Sequence, residues 1–121
     1  MEKRIVSKMN SLEEFEQFVR KNKYVIVKAG AGWCKPCKLL ADFMEHILKL
    51  MPNNIAIANV DIDKTPSIKR KLRIQSVPFL CNYINGQPMD ITVGYKEESI
   101  IKFLEKTVQR TNNTNIRLQR Q

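Results

Sequence analysis

Apolar residues recur along much of the chain at the spacing of a helix face. Between residues 11 and 21, Leu12, Phe15, Phe18 and Val19 follow this spacing, and the pattern predicts an amphipathic helix. Similar patterns predict three more helices, at 36–50, 65–72 and 99–109. The positions predicted to face inward in the second helix are Leu39, Leu40, Phe43, Met44, Ile47 and Leu48.

Short runs rich in β-branched and aromatic residues lie between these helices. The predicted strands are 4–7, 24–27, 55–60, 79–84 and 89–93. The alternating alanines and glycines at 29–32 are expected to end the second strand, and Asn85-Gly86 predicts a tight hairpin between the last two strands. Strands and helices alternate in the first half, which indicates parallel strands joined by crossover helices. The predicted fold class is α/β, a mixed sheet of about five strands flanked by four helices.

The length and composition leave room for one domain. The chain has 121 residues, 43% of them hydrophobic, which is enough for a single core. Residues 1–110 are predicted to form this domain, and the polar, basic segment 111–121 is predicted to be a disordered tail. No apolar run reaches the roughly 18 residues of a membrane span. The N-terminus has no apolar signal-peptide region, so a cytoplasmic location is expected.

The chain is strongly basic, with 21 Lys and Arg against 12 Asp and Glu and a formal net charge of +9. This balance raises the question of nucleic-acid binding. The sequence has no RNP-like aromatic run, Cys/His finger or Gly-rich clamp, so nucleic acid is not expected as a partner. Lys69, Arg70, Lys71 and Arg73 form a basic cluster. It is interpreted either as a solvated helix face or as a surface that attracts acidic protein substrates.

Two of the three cysteines, Cys34 and Cys37, are separated by two residues at the predicted start of the second helix. Unpaired N–H groups and the positive end of the helix dipole lie there, so the pKa of Cys34 is expected to fall below its free value of about 8.5. Cys34 is predicted to be an exposed nucleophile that attacks a substrate disulfide, and Cys37, one turn inward, to resolve the mixed disulfide. Pro36 would stiffen this ring, and Trp33 would add an aromatic surface beside it.

Two other interpretations of the cysteine pair are weaker. A zinc site needs four ligands, and the remaining candidates are Cys81 and His46. His46 would lie roughly 13 Å along the helix from the pair, so no metal is expected. An inert pair fits poorly beside a strand end, a tryptophan and a helix start. Cys81 is interpreted as a buried filler or, alternatively, as a third redox group.

Several motifs together resemble the thioredoxin family. Segment 33–38 reads Trp-Cys-Lys-Pro-Cys-Lys and is similar to the family's Trp-Cys-Gly-Pro-Cys-Lys signature. Residues 60–66 are similar to its third-strand segment, and residues 74–79 to the loop that carries a cis-proline. Asn85-Gly86 falls where the family has a hairpin turn. The resemblance extends from about residue 4 to residue 110.

The resemblance implies a thioredoxin fold and a protein-disulfide reductase that works by dithiol–disulfide exchange. Cys34 would be the nucleophile and Cys37 the resolving thiol, with no cofactor beyond the disulfide between them. The bond before Pro78 would be cis and face the pair; the alternative is an ordinary proline at a strand entry. The implied partners are disulfide-containing proteins, acidic ones included, and thioredoxin reductase or an equivalent. The implied substrate-binding residues are Trp33, Lys35, Pro36, Ser76, Val77, Pro78 and Gly94.

Two lysines depart from the family pattern. Lys28 stands where the family has a buried Asp and is a candidate for tuning the pKa of the pair. It could accept a proton from Cys37 if burial keeps it neutral, stabilise a thiolate if charged, or extend to solvent without effect. Lys35 replaces a Gly and adds positive charge near Cys34, so a reduction potential above the roughly −270 mV of thioredoxin is expected. Two alternatives stay open: a more oxidising oxidase or isomerase, and a binding module without turnover.

Overall fold

The computed structural model describes residues 3–112, and residues 113–121 of the predicted tail lie outside them. Five strands and four helices follow one another in the predicted order. The strands are β1 (Val6–Lys8), β2 (Tyr24–Gly30), β3 (Ile55–Asp61), β4 (Phe79–Ile84) and β5 (Gln87–Val93). The helices are α1 (Leu12–Lys21), α2 (Lys35–Ile47), α3 (Pro66–Leu72) and α4 (Glu97–Asn112), and a 3-10 turn over Leu48–Leu50 follows α2.

The five strands form one mixed sheet in the order β1-β3-β2-β4-β5. Strand β3 pairs in parallel with β1 and β2, whereas β4 is antiparallel to β2 and to β5. The hairpin between β4 and β5 turns at Asn85 and Gly86, whose φ angles of 52° and 79° are left-handed, as the predicted tight turn requires. In the parallel half, Lys8, Asn59 and Lys28 are register partners in one row across the sheet.

Helices cover both faces of this sheet, and each face buries its own core. Helices α1 and α3 cover one face, where Phe15 and Ile68 belong to the same buried cluster as Val27 of β2. Helices α2 and α4 cover the other face, where Met44 and Leu104 are almost fully buried. Burial on both faces explains why β2 and β3 are nearly continuous apolar runs. The predicted α/β class with a helix-flanked mixed sheet is confirmed.

Two predictions about the region of β2 and α2 are wrong. Strand β2 does not end before the alanines and glycines but continues through Gly30, because its backbone still pairs with Asp61 of β3. Leu39, predicted to face inward, is 48% exposed. The buried stripe of α2 begins at Leu40, and neighbouring residues point about 100° apart around a helix.

Other boundaries shift by a few residues. Strand β1 begins at Val6, two residues later than predicted. Helix α4 begins at Glu97 and ends at Asn112, past the predicted domain boundary at residue 110. The Tyr24 hydroxyl donates a 2.8 Å hydrogen bond to the carbonyl of Thr111 and so joins the last turn of α4 to β2. Among residues 3–112, none of the helices combines the length and apolar character that crossing a bilayer requires.

The N-terminal segment holds the far end of α2. The Arg4 guanidinium donates hydrogen bonds of 2.6 to 3.2 Å to four backbone carbonyl oxygens in and after the 3-10 turn. These carbonyls belong to Leu48, Met51, Pro52 and Ile55. Carbonyls at a helix end lack intrahelical partners. Arg4 donates to those of Leu48 and Met51 at the 3-10 turn and joins this turn to the start of β3.

A polar network joins the edge of the sheet to α4. The fully buried Asn82 of β4 donates to Asp90 Oδ2 (2.9 Å) and to Thr107 Oγ1 (2.8 Å) and accepts the backbone N–H of Asp90 (2.7 Å). Arg110 donates to both carboxylate oxygens of Asp90, at 2.6 and 3.0 Å. This hydrogen bonding by Arg110 is the largest of the influences that lower the pKa of Asp90.

Candidate redox site

Residues 31–34 connect β2 to α2 and place Cys34 at the N-cap of the helix. The backbone of Cys34 is extended, and its Sγ accepts a 3.2 Å hydrogen bond from the Cys37 amide. Pro36 lies in the first turn, where its missing N–H is harmless. A sulfur at this position receives an amide hydrogen bond and faces the positive end of the helix dipole, and both effects favour a thiolate.

Cys34 and Cys37 are joined by a disulfide, with Cα atoms 5.3 Å apart. Their exposure is the reverse of the prediction, because Cys34 is only 3% exposed and Cys37 is partly accessible. The predicted exposure of Cys34 is therefore wrong for this oxidised state, and its role as nucleophile stays a prediction. The Cys34 sulfur is bonded to the Cys37 sulfur and accepts a hydrogen bond from the Cys37 amide. Cys37 borders a cavity.

This cavity, of about 360 Å³, is lined by residues of β2, β3 and the start of α2. Half-buried Lys28 lines it together with Cys37 and Pro78. Burial lowers the pKa of the Lys28 ammonium, because the charged form loses hydration. Lys28 and Cys37 line the same cavity, and the three interpretations of the Lys28 side chain stay open. Its tuning role stays a prediction.

Trp33 projects from the surface next to Cys34 and is 70% exposed. Its indole N–H donates a 2.8 Å hydrogen bond to Asp63 Oδ2. Asp63 lies in the turn after β3. Its backbone amide donates a 3.0 Å hydrogen bond to Asp61 Oδ1, which stabilises this turn. Asp63 was absent from the predicted site residues. The available signal was a carboxylate just beyond the carboxyl end of a parallel strand, where sites on α/β sheets gather.

The loop before β4 contains a cis bond between Val77 and Pro78, as the resemblance implies. Pro78 is buried, Val77 is half-buried and Ser76 is exposed. Gly94 donates its N–H to the Pro78 carbonyl at 2.8 Å, and its φ of 87° is a left-handed conformation that favours glycine. These contacts bring the end of β5 beside the cis-proline loop, and Pro78 shares the cavity with Cys37.

Cys81 lies apart from the pair, in the core on the α1 and α3 face. It is 1% exposed, and burial, followed by the charge of Asp90, raises the pKa of its thiol to about 12. Such a thiol is protonated and inaccessible at neutral pH, which favours the filler interpretation. Within residues 3–112, no three His, Cys, Asp or Glu side chains gather as a possible metal site.

Comparison with known proteins assigns this site to a family. The thioredoxin family model matches residues 6–106. The chain belongs to the thioredoxin family. Among its thioredoxin relatives, thioredoxin 1 of Plasmodium falciparum is 32% identical over 102 residues, which cover 84% of this chain and 97% of that protein. The thioredoxin of Coprinus comatus is 29% identical over 105 residues, which cover 86% of this chain and 99% of that protein.

Solved thioredoxin structures agree with this assignment. The structure of Plasmodium falciparum thioredoxin matches with a TM-score of 0.77 and 31% identity, covering 83% of this chain and 97% of that one. A bifunctional thioredoxin reductase/thioredoxin of Mycobacterium leprae is 31% identical over 99 residues, which are 81% of this chain but 22% of that longer protein. Thioredoxin membership and the disulfide-forming pair identify a thiol–disulfide oxidoreductase and support reduction of protein disulfides.

Proposed function

We propose that this thioredoxin-family protein reduces protein disulfides with Cys34 as nucleophile and Cys37 as resolving thiol, without a bound cofactor. The observation that carries the proposal is the position of Cys34 at the N-cap of α2, where its sulfur accepts the Cys37 amide. In the reduced protein the same amide and helix dipole favour the attacking thiolate.

Two exchange steps transfer two electrons to the substrate. The Cys34 thiolate attacks one sulfur of the substrate disulfide, and the other substrate sulfur leaves as a thiolate. Cys37, once deprotonated, attacks the Cys34 sulfur, closes the intramolecular disulfide and releases the second substrate thiolate. The released thiolates take up protons, and the protein is left oxidised.

A reductase must then return two electrons to the disulfide. Thioredoxin reductase or an equivalent is the proposed partner, and the bifunctional Mycobacterium leprae relative supports it because its name joins both activities. A cytoplasmic location is proposed for the cycle, since a reducing compartment keeps such pairs available as thiols. The cycle would contribute to electron transport and redox homeostasis there.

The substrate is proposed to lie between Trp33 and the cis-proline loop. The exposed indole offers apolar contact area. Pro78 has no N–H, so backbone groups of Ser76 and Val77 would pair with the substrate chain. The complete proposed binding surface comprises Trp33, Lys35, Pro36, Ser76, Val77, Pro78 and Gly94.

Reduction of insulin by the purified protein, with dithiothreitol as the electron donor, tests this assignment. Cys34→Ser should abolish catalysis, because no nucleophile remains at the helix start. Cys37→Ser should still attack and accumulate a mixed disulfide at Cys34 that mass spectrometry detects. Cys81→Ser is the matched control and should retain full activity, since this buried thiol lies outside the pair. Full activity in Cys34→Ser would refute the proposed nucleophile.

A more oxidising role is the second candidate, and the position of Lys28 on the wall of the cavity that Cys37 also lines favours it. Positive charge near the pair stabilises its thiolate form and therefore raises the reduction potential. Equilibration with glutathione should give a potential above roughly −270 mV, and Lys28→Asp should lower it by about 30 mV. A wild-type reduction potential at or below about −270 mV would contradict the more oxidising role and would leave the reductase assignment as the only candidate. A Lys28→Asp variant with unchanged potential would remove the tuning role.

A further inference from the structure

A groove on the α1 and α3 face of the sheet has no part in the redox chemistry described above. It encloses about 680 Å³, which is within the size range of small-molecule sites. Both helices and the hairpin of β4 and β5 contribute its apolar wall, which includes Val19, Leu72, Phe79, Tyr83, Pro88 and Ile91. None of its lining residues also lines the cavity beside the disulfide. We call it the hairpin groove.

The hairpin groove opens to solvent along β5. Ile91 is the register partner of Cys81, and residues paired across antiparallel strands project to the same face of a sheet. Cys81 belongs to the core that α1 and α3 cover, yet Ile91 is 59% exposed. The helices therefore stop short of the sheet edge and leave an apolar wall that a ligand can reach.

The rim of the groove carries more positive than negative charge. Its cationic residues are Arg20 of α1 and, at the end of α3, Lys71 and Arg73. Among the described residues, Glu16 is the only acidic one on the rim, and it pairs with Lys71 at 3.9 Å. Both arginines are exposed, and neither forms an ion pair within residues 3–112. Two guanidinium groups are thus available to a carboxylate from outside the chain.

Arg73 holds a backbone conformation that favours glycine. It caps the C-terminal end of α3 with a φ of 55° and a ψ of 44°, a left-handed geometry in which an L side chain is strained. Residues held in such conformations gather at ligand sites. The chain therefore carries a cation on the rim at a position where the backbone alone would favour a glycine.

Tyr83 adds a hydrogen-bond donor to the wall. The residue is 6% exposed, and its hydroxyl makes no hydrogen bond within residues 3–112. In that part of the chain, Asn59 Oδ1 is the one fully buried side-chain oxygen without a partner, so the Tyr83 hydroxyl keeps some accessible surface. Burial is the main reason that the pKa of Tyr83 is raised to about 12. The hydroxyl is therefore protonated at neutral pH and can donate to a ligand.

We propose that the hairpin groove binds a small ionised carboxylic acid with an apolar chain, such as a monomeric fatty acid. The apolar chain packs along the wall between the helices and β5, where it removes Ile91 from water. The carboxylate accepts from the Tyr83 hydroxyl, and Arg20 and Arg73 supply the positive charge that attracts it. This binding needs no thiol chemistry, so it is independent of the reductase assignment.

Titration of ¹⁵N-labelled oxidised protein with decanoate locates the site by NMR. Decanoate is kept below the concentration at which it forms micelles. Saturable shifts of the backbone amide signals should centre on 15–20, 71–73 and 85–91, which surround the groove. Shifts centred on Trp33 and the cis-proline loop, or shifts that do not saturate, would overturn the proposal.

The charge of the rim is tested with two probes that share a ten-carbon chain. Decanoate should bind on the order of tenfold more tightly than the cationic decyltrimethylammonium, and Arg20→Gln/Arg73→Gln should remove most of this preference. Lys21→Gln/Arg70→Gln is the matched control, because it removes the same charge from exposed neighbouring positions outside the groove and should retain the preference. Equal affinities of the wild type for the two probes, or equal losses in both double variants, would overturn the proposal.

The apolar wall is tested at its exposed edge, where a substitution does not disturb the core. Ile91→Glu places a carboxylate on the wall and should abolish decanoate binding. Val93→Glu makes the same change on the same strand at a position that is 53% exposed and lies outside the groove, so binding should persist. Undiminished binding of decanoate to Ile91→Glu would overturn the proposal.

Tyr83→Phe separates the hydroxyl from the packing of the ring. Decanoate should bind on the order of fivefold more weakly, because one hydrogen bond to the carboxylate is lost. Thermal denaturation without ligand should show no loss of stability, since the hydroxyl has no hydrogen-bond partner within residues 3–112. Unchanged affinity for decanoate in this variant would overturn the proposed placement of the carboxylate.

Discussion

Asp63 accepts the hydrogen bond that holds the ring of Trp33 at its exposed position. The indole N–H donates to its carboxylate at 2.8 Å, while 70% of the residue remains in contact with solvent. A side chain so exposed has little packing to fix it, so a single charge-assisted hydrogen bond sets its direction. Asp63 is therefore a positioning residue for the proposed substrate surface.

Asp63→Asn is expected to weaken this hydrogen bond and to mobilise the indole. The kcat/KM for insulin should fall on the order of twofold to fivefold, mainly through KM, since about 1 kcal/mol corresponds to a factor of five. Fluorescence anisotropy reports directly on the ring, because Trp33 is the only tryptophan, and should decrease. Asp42→Asn, which removes the same charge from an exposed position on α2, should change neither quantity. Equal effects of both substitutions would show that charge alone is responsible.

The burial of Lys28 gives stability a specific pH dependence. Its folded-state pKa is lowered below the ordinary 10.5 by loss of hydration. Between these two pKa values the unfolded chain binds more protons than the folded chain, so stability rises with pH. Below both values the lysine is charged in either state, and the cost of burying it is largest.

Lys28→Met should therefore be more stable than wild type at pH 7, by about 1 kcal/mol or less because the side chain is partly hydrated. The advantage should shrink as pH rises toward 10.5. Thermal denaturation of the oxidised proteins measures it without titration of Cys34 or Cys37. Lys102→Met, at an exposed position of α4, should show no such convergence. A Lys28→Met variant that is less stable at every pH would contradict the assigned cost of burial.

At the scale of the elements, the buried network around Asn82 holds the hairpin of β4 and β5 against α4. Asp90 joins them, because it bonds to Asn82 on β4 and to Arg110 on α4. The Arg110 hydrogen bonds lower the pKa of Asp90 more than any other influence does. A carboxyl whose folded-state pKa is lowered stabilises the fold above its unfolded pKa and loses this contribution as pH falls through the folded value.

Arg110→Gln should lower the free energy of unfolding by about 1 kcal/mol at pH 7. The loss is modest because the arginine is partly exposed to water. The difference from wild type should vanish in acid, once Asp90 is protonated in both proteins. Urea denaturation from pH 7 down to pH 2 follows this change. Lys102→Gln removes a positive charge from the same helix without a bond to Asp90 and should show no such pH dependence. A loss of stability in Arg110→Gln that stays constant from pH 7 to pH 2 would indicate a packing effect instead.

The elements themselves were largely predictable, whereas the local environment of the site was not. Helical spacing and apolar runs located the strands and helices because each pattern is a local property of the chain. The Cys-x-x-Cys motif located the pair, and resemblance supplied the cis bond before Pro78. The burial of Cys34 and the bond between Trp33 and Asp63 depend on residues that meet only after folding. Local patterns carry no information about such distant partners.

For the whole molecule, part of the net charge of +9 is concentrated in the basic cluster, which precedes the cis-proline loop of the proposed substrate surface. The four residues of the basic cluster all lie exposed on α3 and the residue after it. The loop to the cis-proline follows directly. Lys71 also forms a 3.9 Å ion pair with Glu16, which offsets part of the charge of the cluster. Such a field speeds the approach of acidic partners and is screened by salt.

Reduction of an acidic disulfide-containing protein should therefore slow as salt rises. Lys69→Gln/Arg70→Gln should lower kcat/KM on the order of threefold to tenfold at low ionic strength and converge with wild type at about 0.5 M salt. Lys49→Gln/Lys102→Gln removes the same net charge from exposed positions elsewhere and should have a smaller effect. Identical behaviour of the two double variants would mean that total charge, rather than the cluster, steers the substrate.

The anchoring of α2 by Arg4 links the chemistry to the beginning of the chain. The disulfide closes a ring within the first turn of this helix, whereas Arg4 joins the start of the chain to backbone carbonyls at and beyond its last turn. Opening the disulfide breaks none of the contacts of Arg4. An N-terminal tag or truncation that disturbs Arg4 would consequently loosen the end of the helix that lies opposite the sulfur atoms, in the oxidised and in the reduced protein alike.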